Sequence, residues 1–169
     1  NEITLDGGAL QATASINLNP NRGMTLTASS GLAATSTNNL VYSGTITGGF
    51  GLTINGASQT GTVSLVVANS YTGGTIVSAG SLGTYHNGSL GSGALTLAGG
   101  TTLLLGRGVT EITNNISLTG NATVDFDTNV EYLIVAGGGG GGSRHGGGGG
   151  SGGLLSGVSA VDVSSISVV

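Results

Sequence analysis

Residues Leu97–Leu103 read LAGGTTL, with an apolar residue at each end and a Gly-Gly pair that turns the chain between them. The phrase recurs at Leu5–Leu10 (LDGGAL) and at Leu118–Val124 (LTGNATV). Each copy joins two short segments in which apolar and small polar residues alternate, such as Leu95/Leu97 before the turn and Leu103/Leu105 after it. Alternation at period two puts one face of a segment inward, as in a half-buried strand. Gly and Asn supply the positive φ that tight turns demand. The phrase therefore reads as strand, turn, strand, used more than once.

The same alternation appears at Ile3/Leu5, Ile16/Leu18, Met24/Leu26, Leu52/Ile54, Val63/Leu65/Val67, Ile116/Leu118 and Val124/Phe126. Turns fall between these segments at Asp6-Gly7-Gly8, Asn21-Arg22-Gly23, Asn55-Gly56 and Asn87-Gly88. Helical periodicity is nearly missing. Many short strands at this spacing admit a sandwich or a solenoid. Sandwich cores lean on large aromatics, and this chain has four Tyr, two Phe and no Trp. Its inward positions are uniform Leu, Ile and Val, which stack when each coil sits on a similar one. The expectation is an all-β chain. A parallel β-solenoid covers residues 1–130, with roughly five to seven coils of about 20–25 residues each. A glycine-rich β or polyglycine segment, which reads as truncated, covers residues 131–169.

Composition narrows the function. Charged residues are 6% of the 169, glycine contributes 36, and the net charge is −4. Lysine is absent, and the only basic side chains apart from two histidines are Arg22, Arg107 and Arg144. A basic patch for nucleic acid cannot be assembled from these. No cysteine is present, which excludes disulfides and thiolate metal sites. No apolar run is long enough for a membrane-spanning helix. The opening Asn1-Glu2-Ile3-Thr4-Leu5 has no leader-like character, and Val168-Val169 closes without a turn signal, so a processed product or a piece of a longer chain is expected.

Ala68–Leu82 reads ANSYTGGTIVSAGSL and is followed by GSLGSGALTL from Gly88. This resembles the autotransporter-associated β-strand repeat, through Asn69, Tyr71, Gly73, Gly74, Thr75, Val77, Gly80 and Leu82. The resemblance implies a right-handed parallel β-helix of the kind found in passenger regions of secreted surface proteins, a scaffold without catalytic residues of its own. No translocating barrel accompanies it in this sequence. Glu131–Ala136 running into glycines, then Gly152-Gly153-Leu154-Leu155, is similar to a glycine-rich domain of phage tail and bacterial surface proteins. Together the two resemblances imply an external fibre or adhesin, on a cell or a virion.

The stretch Leu133–Leu155, LIVAGGGGGGSRHGGGGGSGGLL, holds the most unusual text. A phosphate-binding loop needs a lysine after its glycines and a helix beyond, and neither is present. A flexible linker and an ordered extended segment both remain open. The ordered form has no internal hydrogen bonds, so its backbone must pair sideways, most simply with neighbouring copies. Gly137, Gly142, Gly146 and Gly150 bound the two runs, and Arg144 and His145 between them read as an exposed turn, together the candidate interaction residues. His86 reads as a loop residue.

Asp125, Asp127, Asn129 and Glu131 alternate on one strand face and form a weak candidate calcium site. The EF-hand pattern fails, because Val130 stands where its glycine belongs and Ala136 where its closing Glu belongs. Asp125 and Asp127 would also be the pair for a polysaccharide-cleaving β-helix. No catalytic residue and no cofactor is assigned. The sequence reads first as a non-catalytic extracellular structural protein, a subunit or segment of a surface filament assembled with copies of itself. A glycan- or receptor-binding adhesin or tail-fibre piece comes second, and a polysaccharide-active enzyme third.

Overall fold

A computed structural model describes residues 2–126 fully, and the backbone of residues 129–135 and 154–160. The chain divides at Phe126/Asp127 into two units, each described by itself. Among the described residues there is no helix.

The first unit is a β-solenoid of six coils. Coil 1 carries β1 (Ile3–Leu5), β2 (Ala9–Ala12) and β3 (Ile16–Leu18), and coil 2 carries β4 (Met24–Leu26), β5 (Ser30–Ala34) and β6 (Asn39–Tyr42). Coil 3 carries β7 (Ile46–Gly48), β8 (Leu52–Ile54) and β9 (Thr62–Leu65). Coil 4 has β10 (Thr75–Val77) and β11 (Ser81–Thr84), and coil 5 has β12 (Leu95–Leu97) and β13 (Thr102–Leu105). Coil 6 has β14 (Ile116–Leu118) and β15 (Thr123–Phe126). Every pairing is parallel, in three sheets: β1-β4-β7, β2-β5-β8-β10-β12-β14 and β3-β6-β9-β11-β13-β15. Paired residues lie between 19 positions apart, Val63 to Leu82, and 24 apart, Ile16 to Leu40. That spacing agrees with the length expected from the sequence.

Register converts the alternation into columns. Leu10, Leu32, Ile54, Val77, Leu97 and Leu118 stack in the second sheet. Ile16, Leu40, Val63, Leu82, Leu103 and Val124 stack in the third. Members of these columns in coils 2–5 are buried, so apolar burial accumulates along the axis. The middle residue of each short strand points outward, as Thr53, Ile76 and Thr96 do.

The first sheet stops at β7, and the chain handles that side differently in coil 4. Ser70 N–H and Thr72 N–H donate to the Ile46 and Gly48 carbonyls at 2.9 Å each. The Asn69 side chain accepts from Ile46 N–H at 2.8 Å and donates to the Ser89 carbonyl at 2.6 Å. One amide thereby ties coil 4 to coil 3 below and coil 5 above. A second asparagine, Asn55, is buried at φ 53°. Its side chain accepts from Ala34 N–H at 2.9 Å and donates to the Gly61 and Ala79 carbonyls at 2.8 and 3.1 Å.

In the second unit β16 (Asn129–Val135) and β17 (Leu154–Ala160) pair antiparallel, from Asn129 opposite Ala160 to Val135 opposite Leu154. The strands flanking the glycine runs thus take each other as partners. The runs themselves lie outside the described residues.

Candidate functional site

Of the acidic face suggested by the sequence, Asp125 is exposed on β15, opposite Leu104. Asp127 lies outside the described residues, and Asn129 and Glu131 are placed only as backbone in β16. Arg144, His145, Gly137, Gly142, Gly146 and Gly150 also lie outside the described residues. No group of three acidic, histidine or cysteine residues is close enough to hold a metal among the described residues. His86 is in an exposed turn, where its Nδ1 accepts the Gly88 N–H at 3.0 Å and shapes the turn.

The residues that carry the repeat resemblance have structural work. Tyr71 is fully buried, and its hydroxyl meets Thr75 Oγ1 at 2.6 Å. Burial pushes the Tyr71 pKa up to about 12, against a smaller lowering by that hydrogen bond. Tyr42, whose hydroxyl donates to the Arg22 carbonyl at 2.7 Å, is likewise raised to about 12 by burial. An unfolded tyrosine ionises near pH 10. Above that pH the unfolded chain gives up protons that the native chain keeps, so stability falls as pH rises. The contribution is whole below pH 10 and is lost on approaching pH 12. For Tyr71 this amounts to about 3 kcal/mol at most. Urea midpoints at pH 9 and pH 11.5 are expected to differ strongly, and to differ less in Tyr71→Phe. Equal drops in the two proteins would contradict this.

Three surface features combine geometry with chemistry. The first is the open face of coil 1. Ile16 is 47% exposed, whereas Leu40, Val63 and Leu82 in the same column are at most 1% exposed. Leu10, Ala12, Ile16, Leu18 and Leu40 line a hollow of about 310 Å³ there. The second is Tyr85, which is exposed on the outer face of the third sheet. A Cβ at Gly106 would sit 2.1 Å from Tyr85 Cδ1, so the ring lies directly on backbone that only glycine leaves clear. The third is a groove of about 340 Å³ on the outer face of the second sheet, across coils 1–3. Alternation did not reveal this groove, because its floor is Ala9, Gly31 and Ala33, residues too small to mark a face. The readable signal was the long corner 55–61 that walls it.

No protein-family model, no curated protein and no solved structure matches this chain. Among the described residues no helix is long and apolar enough to cross a membrane.

Proposed function

We propose that this chain is a non-catalytic structural segment of an extracellular surface fibre, whose coils continue by stacking on a second copy. The repeat resemblance supports the extracellular scaffold, and the open face of coil 1 carries the assembly. β1, β2 and β3 each pair on one side only, and the column headed by Ile16 lacks a neighbour there. Such edges template the addition of strands. A coil from another copy supplies both what the backbone and what the apolar columns lack. At the other end Leu118 and Val124 occupy the same inward columns and are 54% and 40% exposed. Coil 6 set on coil 1 would continue the Leu118 column into Leu10 and the Val124 column into Ile16.

The full chain is expected to associate with rising concentration in sedimentation experiments and to form linear particles in negative stain. Ile16→Asp places a charge at the joint and should abolish association, while leaving the melting transition within a few degrees. Dispersed monomers of the parent chain at high concentration would overturn the reading.

A further inference from the structure

The groove runs along the outer side of the second sheet from coil 1 to coil 3, sharing only Gln11 with the hollow at the end face, and its walls are built. Between β8 and β9 the corner spans 55–61, seven residues, against three or four at the corresponding corner of every other coil. Extra length in one repeat of a solenoid is commonly placed at a binding face. This corner is held firmly. Asn55 anchors its start through three side-chain hydrogen bonds, Gly56 N–H donates to Gln59 Oε1 at 2.9 Å, and Gln59 N–H donates to the Gly56 carbonyl at 3.0 Å. The opposite wall is the turn at Gly7, Gly8 and Ser29. Ala33 points out of the sheet, in register with exposed Gln11, yet is only 5% exposed because it lies at the bottom.

We propose that this groove binds a neutral oligosaccharide. No charged side chain lines it, and the protein is acidic overall, so an anionic ligand has nothing to meet. An extended peptide fits poorly, because strand addition needs a free sheet edge. The groove lies on the outer face of the sheet, where β5 and β8 are paired on both sides and β2 leaves open only the edge that the proposed coil stacking uses. The hydrogen-bonding capacity on offer is in side chains. Gln11, Ser29 and Thr53 reach the groove and have no side-chain hydrogen-bond partner among the described residues. Asn55 and Gln59, also in the lining, are committed to the corner, as Asn69, Ser89 and Thr75 are to the fold elsewhere. A carboxamide and two hydroxyls both donate and accept, which matches the hydroxyls of a sugar. A volume of about 340 Å³ suits a few sugar units at the small end of ligand sites.

Maltotriose, chitotriose and a galacturonate trimer, titrated into the full chain, test this by calorimetry and by amide shifts of ¹⁵N-labelled protein. At least one neutral trimer is expected to bind saturably at about 1 mM. Its shifts should gather at Gln11, Ser29, Gly31 and Thr53. The Gln11→Ala, Thr53→Val double variant should weaken binding at least tenfold with an unchanged melting transition. Saturable binding by neither neutral trimer, shifts centred elsewhere, unchanged affinity in the double variant, or equal binding of galacturonate would each overturn the proposal. Association through coil 1 is read separately with Ile16→Asp, so the fibre reading stands or falls independently.

Discussion

Gly73→Ala is expected to destabilise the solenoid by about 4 kcal/mol or more, among the largest effects of any single methyl group. The added Cβ would stand 2.2 Å from the Phe50 carbonyl carbon and 2.3 Å from Gly51 N. Both are backbone atoms of the coil below, so no rotamer change relieves the overlap. One coil up, a Cβ on Gly93 would meet the Gly73 carbonyl oxygen at 2.3 Å. The glycines at this corner therefore set how closely coils approach. Stacked strands keep a separation of about 4.8 Å. Prising coil 3 from coil 4 here would stretch the Ser70 and Thr72 hydrogen bonds to Ile46 and Gly48. Gly49→Ala is the matched control, since a Cβ there meets nothing within 4 Å. It should shift stability by no more than about 0.5 kcal/mol. Urea denaturation of the two variants beside the parent decides the matter. Similar midpoints for both would show that the coils are free to separate at this corner.

These glycines also show where sequence reading succeeds and where it stops. Alternating large apolar residues announced β1, β3, β4, β8, β9, β12, β13, β14 and β15, because the strands are short and their inward positions large. The segment SGLAA of β5 gave no such signal. Its Ala33 and Ala34 are small on both faces, and Ser30 turns inward to accept from Gly7 N–H at 3.1 Å. Asn55-Gly56 was legible as a turn. That Asn55 is a buried clasp joining the Ala34, Gly61 and Ala79 backbones depends on partners more than twenty residues away in two of three cases. Local pattern does not encode such contacts. Gln11, Ser29 and Thr53 are ordinary solvated strand and turn residues in the sequence, and only coil stacking brings them to one groove. The same limit applied to the two faces of the coil. Uniform apolar columns predict a solenoid, but coil register decides which outward residues become neighbours.

Tyr71→Ala should cost about 4 kcal/mol, because it empties the largest buried volume in coil 4 and deprives Thr75 of a partner. Two gentler variants separate those contributions. Tyr71→Phe keeps the ring and removes only the hydroxyl, leaving Thr75 Oγ1 buried and unpaired, for a cost of about 1–2 kcal/mol. Thr75→Val makes the complementary change and leaves the Tyr71 hydroxyl buried without its partner. The two residues touch, so their effects should not add. The double variant Tyr71→Phe, Thr75→Val removes both polar groups at nearly constant shape. It should therefore be more stable than the two single losses summed, by about 1 kcal/mol or more. Strict additivity would mean that the 2.6 Å contact contributes nothing. In a solenoid, coils 1–3 and coils 5–6 communicate only through coil 4, since each coil touches its neighbours alone. Tyr71→Ala should accordingly lower the denaturant slope as well as the midpoint, as the two halves begin to unfold separately. Tyr71→Phe should lower the midpoint alone. A steep single transition in Tyr71→Ala, displaced but otherwise unchanged, would show that the Asn69 hydrogen bonds to Ile46 and Ser89 are enough to couple the halves without the buried ring.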